Sequence, residues 1–156
     1  MLCCVPRYFR RNPKETIISW EETVQFVPPI NEGIVIKVHD GDTFTLAAKL
    51  PYEKSPLYRF SVRLNGINCP ELNSKNEDEK ICAYIAKAEL SSYILGKKVV
   101  LKNIKNEKYG RVLADVYLDG YYLNNHMLEK RLAIPYDGKA KRNLDNWLAF
   151  HTSQVK

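Results

Sequence analysis

Between Gly33 and Leu118 the hydrophobic period changes twice, and the order of those changes leaves few folds open. Gly33–His39, Thr43–Ala48 and Arg59–Leu64 alternate apolar and polar residues, as half-buried strands do. From about Asp78 to Leu95 the period becomes helical, with Cys82, Ala86, Leu90 and Tyr93 on one face and Gly96 placed to stop the helix. Lys98–Lys102 and Val112–Leu118 return to the strand pattern, separated by the polar stretch Asn103–Gly110, which reads as a loop. The chain therefore orders five strands with one long helix between the third and the fourth.

That order predicts an α+β fold built on a five-stranded Greek-key barrel of the OB-fold type, with about three helices. A doubly wound sheet is disfavoured, because it needs strand and helix to alternate. Turn chemistry agrees: Asp40-Gly41, Asn65-Gly66 and Asp119-Gly120 close strands, and Pro51 and Pro56 mark the loop Leu50–Leu57. Leu123–Arg131, starting near Asn124, and Arg142–His151 read as two shorter helices, the latter bringing Trp147, Leu148 and Phe150 to the core. Residues 1–30 read as a tail or linker holding one short strand, Thr23–Val27, and residues 31–156 as the patterned domain.

No apolar run approaches the roughly 18 residues of a membrane-spanning helix, and Arg7, Arg10 and Arg11 stand where a signal peptide needs an apolar core. Cys3, Cys4, Cys69 and Cys82 form neither a C-x-x-C pair nor a zinc spacing, so free thiols and an intracellular, reducing setting are expected. Met-Leu-Cys-Cys followed by arginines also resembles the start of proteins anchored by paired palmitoylated cysteines. Acylated Cys3 and Cys4 would tie the chain to a membrane, against the simpler reading of an ordinary tail with two unmodified thiols.

The formal charge of +6 is unevenly spread: Lys97–Lys156 holds 12 Lys/Arg against 6 Asp/Glu, whereas Asn31–Gly96 holds 8 against 9. A basic half suits a polyanion such as nucleic acid. Three segments carry the chemistry. The first is His39-Asp40-Gly41-Asp42-Thr43, which taken alone reads first as a hairpin turn and second as a metal or phosphate site, where a cation would offset the repulsion of two close carboxylates. The second is Arg63 followed by Asn65–Glu71, NGINCPE, and the third is Lys108–Arg111, KYGR.

Taken in order, these segments resemble the staphylococcal-nuclease-like (thermonuclease) family: a strand ending in DGDT, an arginine strand ending in a D-x-P-E type turn, a helix, then a KYGR-type segment. The resemblance runs from about Gly33 to His151, and the barrel inferred from periodicity is also the fold it implies. It implies a calcium-dependent nuclease acting on DNA or RNA, with single strands the expected substrate and a monomer the expected state. Asp42, Asn68 and the backbone carbonyl of Cys69 would hold Ca2+, with Asp40 supporting it through water. Glu71 would orient or deprotonate the attacking water, while Arg63 and Arg111 clamp the phosphate, Arg111 nearer the leaving 5′ oxygen. Lys108 and Tyr109 match terminal-phosphate contacts, and Tyr136 a base-stacking or phosphate-binding one.

One position departs from the pattern. The family usually places aspartate where this chain has Asn68, whose neutral amide oxygen attracts calcium less strongly than a carboxylate. An impaired domain that binds nucleic acid or a protein partner without cutting is therefore the alternative. An aspartyl-phosphate phosphatase, which also places D-x-D after an apolar strand, fits poorly, since Phe44 replaces the expected threonine or valine and no parallel α/β alternation follows. A purely structural OB module is the remaining rival.

Overall fold

The computed structural model describes residues 18–107, 109–138 and 144–153; Cys3, Cys4, Lys108 and Arg142 lie outside them. Strands β1 (Glu32–Val38), β2 (Thr43–Lys49) and β3 (Leu57–Leu64) form an antiparallel meander, with Val38 opposite Phe44 and Thr43 opposite Arg63. After β4 (Ile67–Asn68) and helix α1 (Glu77–Ile94), β5 (Lys98–Asn106) pairs antiparallel with both β1 and β6 (Val112–Leu118). The β6 strand then runs parallel to β3, placing Arg63 opposite Leu113, and the sheet closes on itself. The result is a closed five-stranded mixed barrel with three helices, the OB-type α+β architecture expected from the order of periodicities.

Strand alternation fills the barrel. Val35, Phe44, Leu46, Val62, Leu64, Val99 and Val116 are fully buried, each contributing about 1.5–3 kcal/mol by leaving water. Helix α1 covers this core with Ala83, Ala86, Leu90 and Ile94, spaced three and four apart so that one face points inward. Asn76 caps it by accepting from the N–H groups of Asp78 and Glu79, and acidic Glu77, Asp78 and Glu79 complement the positive end of its dipole. Gly96, at φ 75°, ends it and donates its N–H to Val35 O at 2.8 Å. Strand β7 (Tyr121–Tyr122) leads into α2 (Leu123–Glu129), which buries Leu123 and Met127, and β8 (Ile134–Pro135) follows. The last helix, α3 (Trp147–Thr152), buries Trp147 against Cys82 and Ile134.

Four local expectations are corrected. Thr23–Val27 is not a strand: a single 3-10 turn at Trp20–Glu22 precedes it, Val24 and Phe26 stay exposed, and Pro28-Pro29 offer no N–H for a ladder. Much of the polar stretch after Lys102 is strand, because a bulge at Asn103 (φ 51°) lets β5 resume pairing at Lys105 and Asn106. The third helix begins at Trp147, after Asn146 turns its side chain onto Ala149 N–H, and the second starts at Leu123 as its expected range does but ends at Glu129, before Arg131. The two-residue pair β4–β8, with Asn68 opposite Ile134, is too short to leave a periodic trace.

Candidate active site

The Asp40-Gly41-Asp42 turn joins β1 to β2, with His39 N–H donating to Thr43 O at 2.9 Å. The segment is a turn between two strands, as one of its two readings expects. Gly41 answers to space: its backbone is outside the left-handed region, but an added Cβ would lie 2.6 Å from Ala86 Cβ and 2.9 Å from Cys69 Sγ. The turn is thereby pressed between α1 and the segment after β4. Asp42, buried by this packing, accepts from Thr43 Oγ1 at 2.9 Å and Arg63 Nη1 at 2.8 Å on one oxygen, and from Cys69 N–H at 3.3 Å on the other.

Arg63 owes its position to the β2–β3 register, which sets it opposite Thr43. Its second terminal nitrogen donates to Ile67 O at 3.3 Å and to Asn68 Oδ1 at 3.1 Å, so one guanidinium bridges Asp42 and Asn68. Asn68 is buried on β4, held there by the pairing with β8. Burial, offset in part by Arg63 and reinforced by Asp40, pushes the Asp42 carboxyl up to about 7. The Cys69 thiol is driven well above its usual range by burial and by the Asp42 charge, so it is unreactive.

Beyond Pro70, Glu71 is anchored by its own N–H, which donates to Glu79 Oε1 at 3.1 Å, while Ser74 donates to Glu79 Oε2 at 2.6 Å. Glu79 thus ties the loop carrying Glu71 and Ser74 to the first turn of α1, a role that no motif signals. Arg111, just before β6, lies across from Glu107, donating through Nε and Nη2 at 2.6 Å each, with Nη1 3.5 Å from Thr43 Oγ1. The Glu107 hydrogen bonds raise the Arg111 pKa further, so the guanidinium is permanently charged. Glu107 was missed in the sequence because a single acidic residue four places before an arginine has no signature outside a hairpin.

One cleft of about 850 Å³ gathers every predicted site residue that the structure describes. Asp40, Asp42, Asn68, Cys69, Glu71, Arg63 and Arg111 line it together with Tyr109 and Tyr136, and Arg63 lies directly against Asp42 and Asn68. Tyr136 is held by its N–H to Gly66 O at 2.9 Å, a consequence of the β4–β8 pairing. The donor set is of the kind a hard cation takes: the side chains of Asp40 and buried Asp42, the amide oxygen of Asn68 and the backbone carbonyl of Cys69. The charge count is low, since no cluster of three His, Cys, Asp or Glu side chains suited to a metal occurs among the described residues.

Residues 61–152, more than half of the chain, match the family model described as staphylococcal nuclease homologue. The chain belongs to the staphylococcal nuclease family. It is 32% identical over 90 residues to an uncharacterized 38.1 kDa protein of Capnoides sempervirens, covering 57% of this chain and 25% of the relative. It is 29% identical over 160 residues to a protein named probable endonuclease lcl3 of Talaromyces marneffei, covering 86% and 46%. The like-named Aspergillus flavus protein is 29% identical over 161 residues, covering 86% and 57%. The chain thus spans between a quarter and somewhat over half of the length of these relatives.

Proposed function

We propose that this chain is a calcium-dependent nuclease that hydrolyses phosphodiester bonds of single-stranded DNA or RNA and leaves 3′-phosphate ends. The observation that carries the reading is the convergence of Arg63, on β3, and Arg111, just before β6, on Asp42 and Thr43, in a cleft that also holds Glu71. A phosphodiester carries one negative charge and its five-coordinate transition state nearly two, so two fixed guanidinium groups act most strongly where charge develops. Arg63 holds a non-bridging oxygen, and Arg111 supports the departing 5′ oxygen. Glu71, its backbone fixed by Glu79, orients the attacking water and accepts its proton.

Asp42, Asn68 and the Cys69 carbonyl would hold Ca2+, with Asp40 supporting it. When bound, the ion supplies further neutralisation of the phosphate oxygens. Tyr109, which is 71% exposed, and Tyr136 line the same cleft as aromatic groups on which a base can stack, and the basic second half of the chain attracts the strand. Asn68 favours a second reading, a domain that binds nucleic acid and cuts slowly or not at all, because it removes one anionic ligand. Cleavage of single-stranded oligonucleotides in calcium, lost in chelator and in Glu71→Gln, supports the nuclease. Binding without cleavage at saturating calcium supports the second reading.

A further inference from the structure

We infer that Glu107 is the positioning residue for Arg111, an assignment that deepens the nuclease reading and rests on it. The short connection between β5 and β6 fixes the pair before any side chain is considered. Glu107 N–H donates to Arg111 O at 2.9 Å, and Gly110, at φ 80°, returns its N–H to Glu107 O at 2.9 Å. Residues 107 and 111 therefore face each other one step beyond the last strand pair, Asn106 and Val112. Both Glu107 oxygens are engaged by the Nε and Nη2 edge of Arg111 at 2.6 Å, with only 20% of the glutamate side chain and 27% of the arginine side chain exposed.

Two parallel charge-assisted bonds set the plane of the guanidinium as well as its location. The edge turned to Glu107 is occupied, and the Nη1 side faces Thr43, whose hydroxyl donates in turn to Asp42 at 2.9 Å. Arg111 is thereby presented to the cleft in one orientation. The pairing also makes the Glu107–Arg111 unit formally neutral, so a singly charged diester in its ground state gains little from it. The doubly charged transition state, meeting N–H groups already aimed, gains more. Removing the glutamate charge should therefore show in kcat rather than in KM.

The test is a double-mutant cycle on cleavage of a single-stranded oligonucleotide in calcium, using wild type, E107Q, R111K and the double variant. E107Q should keep KM within about threefold and lower kcat by about tenfold or more, whereas in the R111K background it should change kcat by less than about threefold. An unchanged kcat in E107Q, an effect confined to KM, or equal kcat losses in both backgrounds would overturn the assignment. If wild type cuts nothing, the nuclease reading fails. The same cycle is then read from calorimetric binding of a nucleoside 3′,5′-bisphosphate, where additive losses would overturn the role of Glu107.

Discussion

Arg63 Nη1 stands 2.8 Å from Asp42 Oδ1, and the same guanidinium reaches Asn68 through its other terminal nitrogen. Burial of Asp42, which this contact offsets only in part, sets the proton balance of the site. Its folded pKa of about 7 lies above the ordinary value near 4 expected of the unfolded chain. Between those limits the folded protein holds a proton that the unfolded chain has released. Metal-free stability should therefore fall as pH rises from about 4 to about 7, by at most about 1.4 kcal/mol per pH unit, and level off above. Thermal melts across that range in chelator check this, with Asp42→Asn expected to lack the slope. Parallel curves for the two proteins would place the titration elsewhere.

At Asn68 the prediction is a gain of function. Asn68→Asp adds a carboxylate to the proposed metal shell, so half-maximal activity should require several-fold less calcium. Arg63 already reaches this side chain and would offset part of the new repulsion with Asp42. In chelator the variant should still melt below wild type and gain more on adding calcium, as linkage requires. Unaltered calcium dependence in both activity and melting would remove Asn68 from the shell.

For the two arginines the expected loss is in turnover. Arg63→Lys and Arg111→Lys keep charge but not the planar fork, so each should lower kcat by about a hundredfold, with a much smaller change in KM. Steady-state kinetics decides it, since equal effects on both would place these residues in ground-state binding.

Gly41→Ala tests how the fold holds the site. The new methyl group meets Ala86 and Cys69, neither of which can swing away, so the turn must lift from α1. Overpacking of this kind costs about 1–3 kcal/mol, or a Tm lower by about 3 to 10 °C for a chain of this size. Activity should fall at temperatures where the variant remains folded, because Asp42 moves with the turn. An unchanged Tm would show that the packing is looser than these distances state.

How far the sequence was legible depends on which physical signal each feature leaves. The barrel was readable because alternation and helical period are dictated by burial, and the meeting of Asp42, Arg63, Glu71 and Arg111 in one cleft because their motifs keep their order. Glu79 and Glu107 were not readable, since each acts across a loop or hairpin whose geometry no local pattern encodes. Gly41 was legible as a turn residue, while its tight packing against Ala86 appears only when α1 is in place. The continuation of β5 through Lys105 and Asn106 was hidden by polar composition, which a bulged strand carries as readily as a loop.

The most direct test of the nuclease reading is the chemistry of the product ends. Purified protein incubated with single-stranded DNA and RNA in calcium should yield fragments ending in 3′ phosphate, as the role proposed for Arg111 at the departing 5′ oxygen requires, and chelator should abolish them. Fragments bearing 5′ phosphate and 3′ hydroxyl ends, or cleavage unaffected by chelator, would contradict the roles given to Arg111 and to the Asp42 site.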